Sequence, residues 1–188
     1  MISEIRTVMR AALGTILIAA LGACWGSEKS LFLPQDSVTP LPGGTYDYHL
    51  AYENEVLKVS LIPFPGGGYI YTTETEDDDE EETPYPLLVY RVDENWHILQ
   101  LGGDFGTMIG LAHTVDERID VYDPECEPEI EAIEGASFNE NSKYGNECMF
   151  DNLGALLAAT RLVIDRIEAG EHESPVGWFN SEPVKPML

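Results

Sequence analysis

The sequence predicts an α+β domain, in which an antiparallel meander of six to eight short strands forms a curved sheet or an incomplete barrel with one C-terminal α-helix packed on it. Apolar and polar residues alternate with a period of two over several short segments, whereas one long segment near the C-terminus has a helical period. The turns between the short segments cannot hold crossover helices, so consecutive strands must be antiparallel. The predicted strands cover 46–52, 57–62, 69–73, 87–92 and 96–101, with weaker patterns at 108–115 and 118–122.

The predicted helix lies between Asn152 and Gly170. Asp151 or Asn152 can cap its N-terminus, because a short polar side chain accepts hydrogen bonds from the free N–H groups of the first turn. Leu156 and Ile164 belong to an apolar stripe at helical spacing, and Gly170 suits the left-handed residue that ends a helix. The stripe indicates that one face of the helix packs on the sheet.

Acidic residues dominate the charge of the chain. It has 34 Asp and Glu against 10 Lys and Arg, a formal net charge of −24. Nucleic-acid binding needs clustered basic residues, so the charge argues against DNA and RNA as partners, and likewise against electrostatic attachment to anionic lipid. Eight of the nine residues at 74–82 are acidic, which predicts a solvated loop over 74–86 because like charges repel.

The first 24 residues have the pattern of an export signal. Arg6 and Arg10 precede an apolar run over 11–23 that is shorter than the roughly 20 residues of a membrane span. The run ends in Leu21-Gly22-Ala23-Cys24, which resembles the lipobox of bacterial lipoproteins. In that family the Cys is acylated and a signal peptidase cuts just before it. An uncleaved anchor helix and an ordinary signal peptide with a chance Cys24 are the alternatives.

The resemblance implies a domain organisation and a location. Residues 1–23 are the expected signal peptide, and acyl chains on Cys24 attach the protein to a membrane of the bacterial cell envelope, facing the periplasm or on the outer membrane. Pro and Gly residues over 24–44 predict an extended tether. A single globular domain follows over 45–170, and 171–188 is expected to be an irregular tail.

Cys126 and Cys148 are the expected disulfide pair. With Cys24 assigned to acylation, two cysteines remain in a chain predicted to be exported to an oxidising compartment. Closing a loop of about 22 residues would contribute roughly 3 kcal/mol in the chain-entropy model. Two free thiols or a metal pair are the alternatives, although neither Cys has the CxxC spacing or the neighbouring His of a zinc site.

Motifs of catalysis and cofactor binding are absent from the sequence. It contains no GxSxG, HExxH, GxxxxGK[ST] or GxGxxG, and Asp104-Phe105-Gly106 spells a kinase tripeptide without the other kinase motifs. The four histidines form no i,i+4 pair and are interpreted as surface or rim residues; they are His49, His97, His113 and His172. No catalytic residue, metal ligand or cofactor is assigned.

Two residue groups leave a binding role open. The acidic run can attract divalent cations weakly, although Glu82 stands where an EF-hand needs Gly; its central residues are Asp77, Asp78, Asp79 and Glu80. A solvated surface is the alternative. Aromatic residues on the predicted strands can line a ligand site or pack in the core; they are Tyr46, Tyr48, Tyr52, Tyr69, Tyr71 and Trp96.

Three classes of function are compatible with these features. The sequence favours a lipid-anchored, non-catalytic interaction or structural domain, which predicts no deep polar pocket. The alternative is a small-ligand carrier for lipid or sugar, in which the meander closes into a cup; it predicts a cavity of about several hundred Å³ between sheet and helix. A hydrolase would need two carboxylates at a defined separation, one with a raised pKa, and nothing in the sequence singles out such a pair.

Overall fold

The computed structural model describes residues 25–52, 55–73, 83–103, 106–142, 145–171 and 174–187. The strands are β1 (Trp25–Ser27), β2 (Gly44–Leu50), β3 (Val56–Pro63), β4 (Tyr69–Thr73), β5 (Tyr85–Arg91), β6 (Trp96–Gly103), β7 (Gly106–Val115), β8 (Arg118–Tyr122), β9 (Ala136–Ser142), β10 (Gly145–Phe150), β11 (Gly177–Asn180) and β12 (Lys185–Pro186). The helices are α1 (Pro128–Glu131) and α2 (Leu153–Ala169), with a 3-10 turn at Pro34–Asp36.

Eight of these strands close into a barrel. Strands β2 to β8 form an antiparallel meander in which each strand pairs with the next. Strand β11 then inserts between β8 and β2, so that every strand of the barrel is paired on both sides. The two-residue strand β12 pairs with the start of β2.

The barrel confirms the predicted meander and corrects its extent. The barrel is closed rather than incomplete, and the sheet as a whole has twelve strands among the described residues, in place of six to eight. Closure depends on the four residues of β11, which lie in the segment expected to be an irregular tail. So short a strand has too few residues to show a period of its own, and its pairing is set by the two strands on either side of it.

A side sheet extends from strand β7, which has ten residues and is twice as long as β8. The C-terminal half of β7 pairs with β8, and its N-terminal half pairs with β1 through Gly26 and Met108. On its other side β1 runs parallel to β10, with Trp25 opposite Cys148, and β10 pairs with β9. Strand β1 therefore occupies the part of the β7 edge that β8 is too short to reach.

The expected tether is wrong for residues 25–44, because they are packed on the domain. Trp25 is fully buried, and its indole Nε1 donates a hydrogen bond of 3.1 Å to the carbonyl oxygen of Glu125. Phe32 is also buried and lies against Tyr90 of β5. The Pro and Gly residues thus shape an extended path along the barrel rather than a free linker.

Helix α2 covers the outer surface of the barrel, as predicted. The Asn152 side chain caps it by accepting a hydrogen bond of 2.9 Å from the backbone N–H of Ala155, and Gly170 ends it with φ of 74°. Its buried face, which includes Leu156 and Val163, packs in one core with residues that point outwards from the barrel strands. A second core, made of inward-pointing residues, lies inside the barrel. None of the helices in the described part of the chain is long and apolar enough to cross a membrane.

The two cysteines of the expected disulfide are brought together beside this outer core. The Cα atoms of Cys126 and Cys148 are 5.3 Å apart, which is a disulfide separation. Cys148 lies on β10 and is fully buried, whereas Cys126 lies between β8 and α1. The pair therefore connects the side sheet to the segment that follows the barrel meander.

Candidate ligand cavity

The interior of the barrel contains a cavity of about 190 Å³. An eight-stranded barrel is just wide enough to be filled by side chains or to hold one small ligand, so the sizes of the inward side chains decide between the two. Ala112 lines the cavity, and the two-residue alternation places Gly110 at the preceding inward position of β7. These two small residues leave space that larger side chains would fill.

The cavity wall is almost entirely apolar. Its aliphatic part includes Val59, Leu61, Leu87, Val89, Leu99, Leu101, Met108, Ile119 and Val121, and its aromatic part is Tyr46, Tyr48, Tyr69, Tyr71 and Phe179. Thr114 and Ser181 add two hydroxyl groups, and no carboxylate is present in the lining that the structure describes. Such a wall suits an apolar molecule and offers few polar groups for orientation.

Two of the tyrosines hold the preceding segment across the end of the barrel where β2 begins. The Tyr69 hydroxyl donates to the carbonyl oxygen of Leu41 and accepts from the backbone N–H of the same residue, both at 2.8 Å. The Tyr46 hydroxyl donates to the carbonyl oxygen of Pro42 at 2.5 Å. Burial raises the pKa of Tyr69 to about 12 despite the opposing Leu41 hydrogen bond, so the ring stays neutral at physiological pH.

His97 is the most informative polar residue of the cavity. It lies on β6 with only 6% of its surface exposed, and its Nε2 atom has no hydrogen-bond partner among the described residues. The backbone of Asn95 acts on its ring and raises the pKa of His97. Burial lowers the pKa of His97 most strongly and the Arg91 guanidinium lowers it further, against the opposing effects of Asp93 and the Asn95 backbone. The ring is therefore neutral near pH 7.

The expectation that His97 is a surface or rim residue is wrong. Alternation correctly places it opposite Trp96, but both faces of β6 are buried here. Trp96 points into the outer core under α2, and His97 points into the barrel. A strand covered on both faces cannot be assigned an exposed side from its period alone.

The Tyr71 hydroxyl is the other fully buried polar atom of the cavity lining without a hydrogen-bond partner in the described part of the chain. Burial raises the pKa of Tyr71 above its ordinary value, and the nearby Tyr48 raises it further. The phenol is therefore neutral and can donate as well as accept a hydrogen bond.

The remaining sequence-based candidates lie elsewhere. On the outer face of the barrel, His49 stacks on Trp178 and His113 on Trp96, with ring centroids 4.0 and 4.1 Å apart. Tyr52 is 69% exposed. Cys24, the acidic residues 77–80 and His172 lie outside the described residues. Within the described ranges, no group of three or more His, Cys, Asp or Glu is arranged to hold a metal ion.

Comparisons with known proteins do not assign this chain to a family. No family model matches it, and no match was found among curated proteins or among solved structures.

Replacing His97 with Phe is expected to make folding less sensitive to acid. The pKa of His97 is lowered in the folded protein, so below about pH 6.5 the unfolded chain binds the proton more readily and the free energy of unfolding falls. The H97F protein lacks this contribution but keeps an aromatic ring in the same place. Thermal unfolding of both proteins at about pH 7.5 and about pH 5 tests this. The wild type should lose more Tm on acidification; an equal loss in both proteins would contradict it.

Proposed function

We propose that the barrel binds one small, largely apolar molecule in its interior. The observation that supports this proposal is the cavity of about 190 Å³ inside a closed barrel, lined by aromatic and aliphatic side chains. An engineered apolar cavity of about 150 Å³ in another protein excludes water and binds benzene. The cavity in this barrel therefore matches a molecule with one aromatic ring or a short aliphatic chain.

The energetic cost of an empty cavity favours an occupant. Enclosed core cavities reduce stability by about 24 cal/mol per Å³ because their lining loses contacts, and an apolar lining left open to water loses them too. A larger residue at Ala112 would be a simple way to fill it. A bound molecule instead restores the lost contacts and is stabilised by them. The open space is thus better explained by a ligand than by imperfect packing.

The proposal develops the carrier hypothesis and moves the position of its site. The hypothesis expects a cavity of about several hundred Å³ between sheet and helix, but that layer is filled by side chains of the outer core. The cavity lies instead among the inward-pointing residues of the barrel. The apolar lining supports a binding role for the interior of the barrel.

Filling the cavity tests the proposal. Ala112→Met places a larger side chain in the lining, whereas Ala158→Met makes the same change at an exposed position of α2. Toluene at about 100 times its Kd should stabilise the wild type and A158M by about 2.7 kcal/mol and stabilise A112M little. Calorimetric titration measures the dissociation constant of toluene, and thermal unfolding measures the stabilisation that it causes. If toluene does not bind the wild type, or binds A112M equally well, the barrel is not the proposed binding site.

We also propose that acyl chains on Cys24 hold this barrel at a membrane of the bacterial cell envelope. The support is the Leu21-Gly22-Ala23-Cys24 sequence together with the net charge of −24, which disfavours attachment to anionic lipid by charge. Cys24→Ser should abolish incorporation of radiolabelled palmitate in a bacterial host and leave an unprocessed precursor. Labelling that persists in C24S would disprove the anchor without affecting the cavity.

A further inference from the structure

We infer that the ligand carries an O–H or N–H group that donates a hydrogen bond to Nε2 of His97, so that the cavity selects a phenol or alcohol over a hydrocarbon of the same shape. This inference rests on the proposed binding function and specifies the chemical class of the ligand.

The first support is the environment of the His97 ring. The residue is 6% exposed, its Nε2 atom is buried, and this atom has no partner among the described residues. Buried polar atoms in folded proteins nearly always have a hydrogen-bond partner, because an unpaired one loses its hydration without compensation. His97 belongs to the cavity lining, so the missing partner can come from a bound molecule.

The second support is the direction of that hydrogen bond. The Asn95 backbone raises the pKa of His97, which is the effect of a carbonyl oxygen that faces a proton-bearing ring nitrogen. Since Nε2 is the atom without a partner, we assign the proton of the neutral ring to Nδ1. In the neutral ring the second nitrogen is then an acceptor. The ligand must therefore supply the donor.

A trapped water molecule is a poorer partner for this atom. A buried water is held by about three hydrogen bonds. The lining beside His97 offers few partners, because Ala112 lies directly opposite on β7 and Leu99 is the next inward residue of β6, while Thr114, two residues after Ala112, adds one hydroxyl group. A ligand with an apolar body needs only the one hydrogen bond and fills the rest of the space by contact.

Tyr71 lies in a different part of the lining. It pairs with Tyr85 at the start of β5, whereas His97 pairs with Arg91 at the end of the same strand. Six residues of extended chain correspond to about 20 Å along the strand. The two unpartnered groups therefore lie towards different ends of the cavity wall, and Tyr71→Phe can serve as a comparison for changes at His97.

Phenol and toluene separate the hydrogen bond from the shape of the ligand, because they have the same number of non-hydrogen atoms. One neutral hydrogen bond should make phenol bind about fivefold more tightly than toluene to the wild-type protein. In His97→Phe the buried phenol O–H would lack its acceptor, so toluene should become the tighter ligand and the ratio should change by about tenfold or more. His97→Gln, which can offer a carbonyl oxygen, should retain part of the preference for phenol. His113→Phe makes the same His-to-Phe change on the outer face of the barrel and should leave the preference unchanged. Tyr71→Phe tests whether the other unpartnered group supplies the preference.

Titration calorimetry on the folded full-length proteins at about pH 7.5 gives both dissociation constants. The inference is overturned if phenol and toluene bind the wild type equally, if the ratio is the same in H97F, or if Y71F rather than H97F removes the preference. In each of these cases toluene still binds, so the proposed function stands. If neither molecule binds the wild-type protein, the proposed function fails as well.

Discussion

Replacing Trp25 with Ala is expected to lower the free energy of unfolding by about 3–5 kcal/mol, the usual cost of truncating a buried Trp. Its indole ring is fully buried, lies edge-on to Phe150 with ring centroids 5.1 Å apart, and donates a hydrogen bond to the backbone of Glu125. Loss of these contacts would also weaken the hydrogen bonding of β1 to β7 and β10. Urea unfolding followed by far-UV circular dichroism measures the change.

Trp178→Ala is the matched control for this experiment. Trp178 is half-buried on the outer face of β11 and stacks on His49, so its removal should cost less than half as much. The comparison separates a residue inside the core from one that covers the surface. A change close to zero for W25A would instead mean that the residues after Cys24 behave as a free tether.

Removing the disulfide is expected to cost about 3 kcal/mol, because the closed loop spans a sequence separation of 22 residues and its closure restricts the unfolded chain. The suitable variant is the double substitution Cys126→Ala and Cys148→Ala. Alanine avoids placing a lone hydroxyl in the outer core, where Cys148 is fully buried. The midpoint of urea unfolding reports the loss.

Chemical reduction provides the control for the disulfide. A reductant should destabilise the wild type to a similar extent and leave the double variant unaffected. If the reductant does not change the unfolding midpoint of the wild type, the two thiols are not joined in the isolated protein, and a destabilised double variant would then reflect lost packing alone.

The strand and the helix that the sequence predicted best are long enough to show several repeats of their apolar pattern. The alternation over 57–62 lies within Val56–Pro63, and the stripe that includes Leu156 and Ile164 lies on α2 between the expected cap and the expected terminal Gly170. In these segments one side of the element is buried and the other faces a different environment. The pattern of residue types records that difference directly.

The short strands could not be predicted because their pairing depends on distant parts of the chain. Strand β1 has three residues and β11 has four, so neither is long enough to show a period. Strand β1 forms because the N-terminal half of β7 has a free edge beyond the end of β8, and β11 forms because it fits between the edges of β8 and β2. Contacts far apart in sequence, such as Trp25 with Cys148, determine whether such edges are available, and local residue preference does not show it.

The candidate site was only partly visible in the sequence. Four of the aromatic residues singled out on the strands do face the barrel interior, namely Tyr46, Tyr48, Tyr69 and Tyr71. Trp96 packs outside instead, where helix α2 buries the outer face of β6. His97 is its neighbour on the strand and therefore points into the barrel. The volume of the cavity follows from small residues such as Ala112 at inward positions, and a small residue shows no space until the strands around it are known.

The position of β1 has a mechanical consequence for the proposed anchor. Cys24 precedes Trp25 directly, so about 3.8 Å of backbone would separate an acylated residue from a strand inside the fold. Strand β1 is hydrogen-bonded to β7 on one side and to β10 on the other. A force that pulls the lipid along this strand would therefore be resisted by two rows of hydrogen bonds loaded in shear, and the barrel would have almost no freedom to swing away from the bilayer.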